Sequence, residues 1–242
     1  MRRLVAALSV VISGCALRDR PPGQPPAESQ VMRPDKVTAF ALLFAANCAG
    51  CHGAEGRGGA ALALADPVYL AIADDVTIRR VVSDGVPGTA MPAFAQSAGG
   101  MLTDYQIEAI VGAIRARWAR PDALRGVKPP PYAARGDGDA RRGASVYAVY
   151  CSSCHGADGR GGERASSIVD GSFLALVSNQ SLRTTVIVGR RELGAPDWRG
   201  NVPGTPMSEE DVSDVVAWLA AQRPEVAGQP YPAAQAAIGA SQ

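Results

Sequence analysis

Apolar residues recur at helical spacing in two similar series along the chain. In each series a first helix precedes a cysteine pair, a shorter helix follows a glycine-rich loop, and a longer helix closes the series. The predicted helices lie at 36–47, near 76–82 and after 103 in the first series, and at 140–150, near 182–188 and after 208 in the second. Each closing helix begins with a side chain that can cap its amino end, Thr103 or Ser208. The pattern therefore predicts an all-α protein made of two similar units.

The cysteine pairs belong to two copies of one motif. The first copy reads Cys-Ala-Gly-Cys-His from Cys48 to His52, and the second reads Cys-Ser-Ser-Cys-His from Cys151 to His155. Both copies continue with Gly-Ala, an acidic residue and Gly-Arg-Gly-Gly, at a constant offset of 103 residues. A tandem duplication explains this regularity better than chance.

Two cysteines separated by two residues and followed by histidine form a signal for covalent attachment of c-type haem. Two thiols one helical turn apart can add to the two vinyl groups of the porphyrin, and the adjoining histidine can then ligate the iron. A redox-active dithiol would not need the histidine, and a zinc site would need ligands that the rest of the chain lacks. The sequence therefore predicts two covalently bound haem c groups, with these attachment cysteines and proximal histidines: Cys48, Cys51 and His52; Cys151, Cys154 and His155.

The order of helix, attachment motif, loop and closing helix resembles the class I cytochrome c fold. The resemblance covers residues 36–120 and 139–226, and it implies that the first and last helices of each domain cross near a haem in the core. Each domain is small for an independent hydrophobic core, and a covalently held macrocycle would both fill and crosslink it.

In this family the helix crossing usually sets a small residue against an aromatic one. Alignment through the cysteines and the helix caps pairs Gly143 with Trp218 in the second copy, and Phe40 with Ala113 in the first. Large and small residues would then have exchanged sides between the copies, as close packing permits.

The resemblance also implies a methionine as the second axial ligand of each iron, because both histidines of the chain are already assigned. Met91 is followed by proline ahead of the closing helix and matches the Met-Pro loop of the family. We therefore predict Met91 as the distal ligand of the first iron, where a thioether would raise the reduction potential.

The second copy allows two alignments of this loop. Counted from His155, Ala195 stands where Met91 is expected, whereas a match through the local Val-Pro-Gly-Thr motif makes Met207 the counterpart. We predict Met207 as the distal ligand of the second iron. The alternative is that Met207 only packs on Val212 beside the helix cap, which leaves the second iron five-coordinate.

The amino-terminal segment resembles a bacterial lipoprotein signal peptide. Residues 1–14 have a charged start, a short apolar stretch and a small-residue site before Cys15, which would be lipidated. An ordinary signal peptide with an incidental cysteine is the alternative. Residues 15–35 form a predicted proline-rich tether, 121–138 a proline-rich linker and 227–242 a carboxy-terminal tail. We therefore expect the chain to be exported and lipid-anchored to a bacterial membrane, facing the periplasm or the exterior.

The net charge and the lack of a catalytic arrangement limit the classes of function that the chain can have. The net charge is +1 without a basic tract, which argues against a nucleic-acid partner. With both histidines on iron, no catalytic constellation can be assembled. We predict a membrane-tethered electron carrier rather than an enzyme, serving respiratory or periplasmic redox partners such as a membrane respiratory complex. The alternatives are a haem enzyme or gas sensor with a five-coordinate second haem, and a fixed cytochrome subunit of a larger oxidoreductase.

Overall fold

A computed structural model describes residues 31–224, and within this range the secondary structure is helical, with isolated bridges but no β-strand. The predicted all-α class is confirmed. Residues 1–14, Cys15 and 227–242 lie outside the described residues. The α-helices are α1 Phe40–Asn47, α2 Ala49–His52, α3 Pro67–Ile72, α4 Asp75–Asp84, α5 Asp104–Trp118, α6 Ala140–Tyr150, α7 Ser152–His155, α8 Gly171–Ala175, α9 Asn179–Val188 and α10 Glu209–Ala220. No helix in this range is both long enough and apolar enough to span a membrane.

The first helix begins later than its apolar pattern predicts. A 3-10 turn occupies Pro34–Lys36, and α1 starts only at Phe40, because Ala39 is extended with φ −64° and ψ 114°. The extended stretch is held from α5, where the buried Gln106 side chain donates to the Val37 carbonyl at 2.8 Å. Val37 is thus fixed against the core without being helical.

Both closing helices begin where their caps predict, and each has a complete capping box. The Thr103 hydroxyl accepts the Gln106 N–H at 3.2 Å, and the Gln106 amide oxygen accepts the Thr103 N–H at 3.0 Å. In the second copy Ser208 and Asp211 make the same exchange at 3.0 and 2.8 Å. These reciprocal bonds satisfy amide groups that have no partner within the helix, which fixes where α5 and α10 start.

Two short helices interrupt the segments that follow the cysteine motifs, where only loop was predicted. Asp66 caps α3 by accepting the Val68 N–H at 2.7 Å, and Asp170 caps α8 by accepting the Ser172 N–H at 2.9 Å. The six residues of α3 and the five of α8 are too few to show a helical period in the sequence. They nevertheless matter for packing, because they bury Val68, Tyr69, Leu70 and Leu174.

In the second copy, α6 and α10 cross at the predicted pair of a small and an aromatic residue. A Cβ atom on Gly143 would lie 2.0 Å from the Asp214 carbonyl oxygen and 2.8 Å from the Trp218 Cβ. The ring of Trp218 stacks on that of Tyr147 with centroids 4.3 Å apart. Gly143 therefore lets the two helix backbones touch.

In the first copy Phe40 lies in a cluster of three aromatic rings. The ring of Phe40 packs on those of Phe44 and Trp118, with centroids 5.2 and 5.7 Å away. Trp118 covers Gly56, where a Cβ atom would lie 2.6 Å from its ring, much as Trp218 covers Gly159 in the second copy. Phe40 thus packs on a tryptophan that lies five residues beyond Ala113 on α5, and the contact of Phe40 with Ala113 stays a prediction.

The two copies and the linker pack together. Described residues from Asp35 onward belong to one compact unit, and buried side chains of both copies share one hydrophobic cluster. The Arg190 guanidinium donates to the Gly59 carbonyl at 2.8 Å, and Arg191 pairs with Asp66 at 2.7 Å. In the linker, the Pro131 carbonyl accepts from the buried Arg183 at 2.9 Å. These contacts fix the orientation of one copy relative to the other.

Candidate haem attachment sites

Each cysteine motif forms a single helical turn directly after a longer helix. Cys48 ends α1 by donating its N–H to Phe44, and Cys151 ends α6 by donating to Tyr147, at 2.8 and 2.9 Å. The short helices α2 and α7 then carry the second cysteine and the histidine of each motif. Both cysteines of each copy are free of disulfides. Two thiols consequently stand one turn apart in both copies, as haem attachment requires.

Both histidine rings are held by a backbone carbonyl from the loop that follows the motif. The Nδ1 atom of His52 lies 2.7 Å from the Leu62 oxygen, and that of His155 lies 2.9 Å from the Ser166 oxygen. Because a carbonyl oxygen can only accept, Nδ1 carries the proton and Nε2 keeps its lone pair. This is the usual arrangement of an iron-ligating histidine, whose orientation is fixed by a second partner.

Glycines allow the chain to fold back close to each motif. Gly53 has φ +82° and Gly156 has φ +80°, a conformation that favours glycine. A Cβ atom on Gly53 would lie 1.8 Å from the Arg57 oxygen, and one on Gly156 would lie 2.4 Å from the Gly161 oxygen. The loops that supply the carbonyls for the histidines can therefore return directly over the attachment turns.

Burial disfavours the charged forms of Cys48, Cys151 and His52. Desolvation, with the neighbouring thiol of Cys51 as a smaller contribution, raises the pKa of Cys48 to about 11. Cys151 is raised to the same pKa of about 11 by burial and by Cys154. Desolvation lowers the pKa of His52, although the hydrogen bond to Leu62 opposes it. The Cys48 and Cys151 thiols are thus protonated and the His52 imidazole is neutral near pH 7.

This donor set fits haem c in both copies. The paired thiols match the two vinyl groups of the porphyrin, and the free Nε2 of a neutral imidazole is an iron ligand. When bound, the haem iron stores and releases one electron by alternating between its ferric and ferrous forms.

The predicted distal methionines lie in different settings. Met91 is half-buried in the loop after α4, where its N–H donates to the Thr89 hydroxyl at 3.2 Å. Met207 is only 3% exposed and lies directly before α10. The Asn201 amide contacts its sulfur at 3.9 Å. Iron ligation by either methionine stays a prediction.

Sequence reasoning missed the groups that hold the histidines and join the copies. Leu62 and Ser166 act through their carbonyl oxygens, so their side chains give no signal. Arg190 and Arg191 form a visible basic pair, but nothing in the sequence indicates that they reach Gly59 and Asp66, more than 120 residues away.

The helical fold and the paired attachment turns define a dihaem c-type cytochrome, a class of electron-transfer proteins. The chain belongs to the family described as cytochrome c oxidase, cbb3-type, subunit III, whose model matches residues 35–112 and 138–219. The two matched segments each contain one attachment motif, which confirms the tandem arrangement of class I cytochrome c domains and the two covalently bound haem c groups.

Several curated proteins are similar to the chain. The cbb3-type cytochrome c oxidase subunit CcoP of Azospirillum sp. is 32% identical over 59% of this chain and 48% of its own length. The subunit FixP of Sinorhizobium medicae is 30% identical over 52% and 40%. A cytochrome bc1 complex cytochrome c subunit of Mycobacterium bovis is 24% identical over 73% and 60%. The chain thus spans about half the length of the curated relatives it matches.

Proposed function

We propose that this protein is a one-electron carrier in which two haems act in series. Residues 36–120 form the first cytochrome domain and residues 139–226 the second, joined by the linker at 121–138. Each domain attaches one haem covalently and binds its iron from the proximal side through a histidine, and Met91 ligates the first iron from the distal side. The attachment and proximal residues are Cys48, Cys51 and His52 in the first domain and Cys151, Cys154 and His155 in the second.

The observation that carries this proposal is the matched pair of histidines within one compact unit. His52 and His155 are each held through Nδ1 by a loop carbonyl, at 2.7 and 2.9 Å. The loop of the first site is in turn bound to the second domain, because Gly59 accepts from Arg190. A fixed arrangement of two one-electron centres is what a relay requires, since electrons then pass between them without a conformational search.

We further propose that the chain is exported, anchored through a lipid on Cys15 and facing the periplasm, with 15–35 as its tether. The lipoprotein-like pattern of residues 1–15 supports the anchor. The printed names of the relatives, subunits of a cbb3-type oxidase and of a bc1 complex, support a partner among membrane respiratory complexes. They favour a bound subunit over a carrier that moves freely between partners.

The test uses the full-length protein, matured with covalent haem and purified from membranes in detergent. The expected result is two covalently bound haems per chain by haemochrome assay and two one-electron transitions in a potentiometric titration. Replacing both attachment cysteines of one copy, Cys48 and Cys51 or Cys151 and Cys154, should remove one haem and one transition. Cys15→Ala should move the protein from the membrane to the soluble fraction.

A second measurement addresses the electron-transfer role. Membranes of the source bacterium that lack this chain should recover quinol-dependent oxygen uptake when the wild-type protein is added, and neither single-haem variant should restore it. Wild-type protein that carries both haems but leaves oxygen uptake unchanged would overturn the proposal.

A further inference from the structure

The loops before the two closing helices have the same hydrogen-bonded frame. In the first copy the Val86 N–H donates to the Met91 carbonyl at 3.0 Å, and in the second the Arg190 N–H donates to the Ala195 carbonyl at 3.0 Å. Each bond spans five residues and closes a turn directly after the helix end, at α4 and at α9. Ala195 is therefore the structural counterpart of Met91.

The glycines that follow α4 and α9 independently support the same alignment of the two loops. Gly85 and Gly189 have φ of +68° and +74°, and the loop backbone passes directly against both. A Cβ atom on Gly85 would lie 2.7 Å from the Met91 oxygen, and one on Gly189 would lie 2.7 Å from the Ala195 oxygen. Neither loop can slip by a residue without moving a different carbonyl into this contact.

The other end of the frame assigns Met207 to a different position. The Leu102 N–H donates to the Phe94 carbonyl at 2.8 Å, and the Met207 N–H donates to the Trp198 carbonyl at 2.9 Å. Both residues precede the N-cap of a closing helix, and they are 4% and 3% exposed in the shared hydrophobic cluster. The turn before Met207 repeats that before Met91, because Thr205 donates to Val202 at 3.1 Å as Thr89 does to Val86 at 3.2 Å. This second turn lies beyond Trp198 rather than directly after the helix, so within the frame Met207 takes the position of Leu102, a packing residue.

We propose that the second iron receives no methionine ligand from this chain and that its distal side binds small neutral molecules such as carbon monoxide. This inference rests on the proposed haem attachment at His155. Between residues 139 and 224 the sequence has no lysine, no second histidine and no methionine besides Met207. Met207 is held in its place by the backbone bond to Trp198 and by side-chain burial. The first site would remain closed by Met91, so the two copies differ in what they can bind.

The test compares four forms of the full-length dihaem protein: wild type, Met207→Leu, Ala195→Met and Met91→Ala. Carbon monoxide is titrated into each reduced form, and the ferric Met-to-iron charge-transfer band and the high-spin signal are recorded. In the wild type we expect about half of the haem to bind carbon monoxide. Met207→Leu should leave this fraction and the band unchanged, because leucine keeps the packing.

The other two variants test the register itself. Ala195→Met should supply a thioether at the position equivalent to Met91, and it should abolish carbon monoxide binding and double the charge-transfer band. Met91→Ala should extend carbon monoxide binding to all of the haem.

Two results would overturn the inference: wild type that binds no carbon monoxide, and Met207→Leu that newly opens a haem or loses half of the charge-transfer band. Both differ from failure of the proposed function, which would appear as fewer than two covalently bound haems or as unchanged oxygen uptake.

Discussion

The crossing of α6 and α10 depends on the absence of a side chain at residue 143. Gly143 is buried near the amino end of α6, and a Cβ atom there would lie 2.0 Å from the Asp214 backbone oxygen. The neighbour is a helix backbone, which cannot rotate away as the end of a flexible side chain could. Gly143→Ala should therefore push the two helices apart.

The expected cost follows from this distance. An ordinary contact of carbon with a carbonyl oxygen is about 3.3 Å, so the helices must separate by roughly 1.3 Å. Overpacking of this kind typically costs about 1–3 kcal/mol, and a gap of this size forfeits a large share of the dispersion contacts along the crossing. Alanine recovers about 1 kcal/mol through its higher helix propensity. The net destabilisation should be about 2 kcal/mol, which lowers the melting temperature of a chain of this size by about 4–8 °C.

The assay is thermal unfolding of the haem-loaded full-length protein, followed by far-ultraviolet circular dichroism. Gly112→Ala is the matched control, since Gly112 lies within α5, is exposed, and has nothing within 4 Å of an added Cβ atom. It should raise the melting temperature slightly. A Gly143→Ala protein that melts at or above the wild-type temperature would refute the close-packing argument.

Two further predictions concern α10. The buried Asp214 carboxylate accepts from the Arg142 side chain at 2.7 Å and from the Asp139 N–H at 2.7 Å. Burial opposes ionisation of this carboxyl group, but the two hydrogen bonds outweigh burial and hold the pKa of Asp214 below its ordinary value. The ionised Asp214 carboxylate stabilises the folded protein above the ordinary aspartate pKa of about 4, and this stabilisation is lost as the pH falls through the lower pKa of the folded state. In urea titrations from pH 5 to pH 2, Asp214→Asn should therefore lose less stability than the wild type. An equally steep acid limb in this variant would contradict that assignment. Ser208→Ala removes the capping hydroxyl that accepts the Asp211 N–H at 3.0 Å, and it should cost about 1 kcal/mol in urea unfolding at pH 7, whereas Ser208→Thr should cost much less.

The sequence was sufficient for the longer helices, because these depend on local patterns. Helical spacing and capping residues placed α5 and α10 correctly, and Cys48 and Cys151 belong to a motif whose spacing is set by the porphyrin. The short helices α3 and α8 could not be predicted, since five or six residues do not show a period.

Contacts between residues that are distant in the chain could not be predicted from the sequence. The local motif before Met207 resembles that before Met91, yet backbone bonds to Trp198 give Met207 the register of Leu102. Similarly, the cap alignment paired Trp218 with residue 113, whereas Trp118 covers the equivalent glycine. A tryptophan ring is long enough to reach one spot from two helix positions, so alignment by helix caps does not determine which residue fills it.

The bridge between the copies joins the loops of the two sites directly. Arg190 lies at the start of the loop that carries Ala195, and its side chain binds the Gly59 carbonyl. Gly59 belongs to the loop that follows His52 and supplies the Leu62 carbonyl to the histidine ring. Occupancy at the second site and electron affinity at the first then share one structural element. Linkage is reciprocal for binding free energies. If a molecule bound at the second haem shifts the reduction potential of the first haem, then reduction of the first haem changes the affinity of the second haem for that molecule by the same factor.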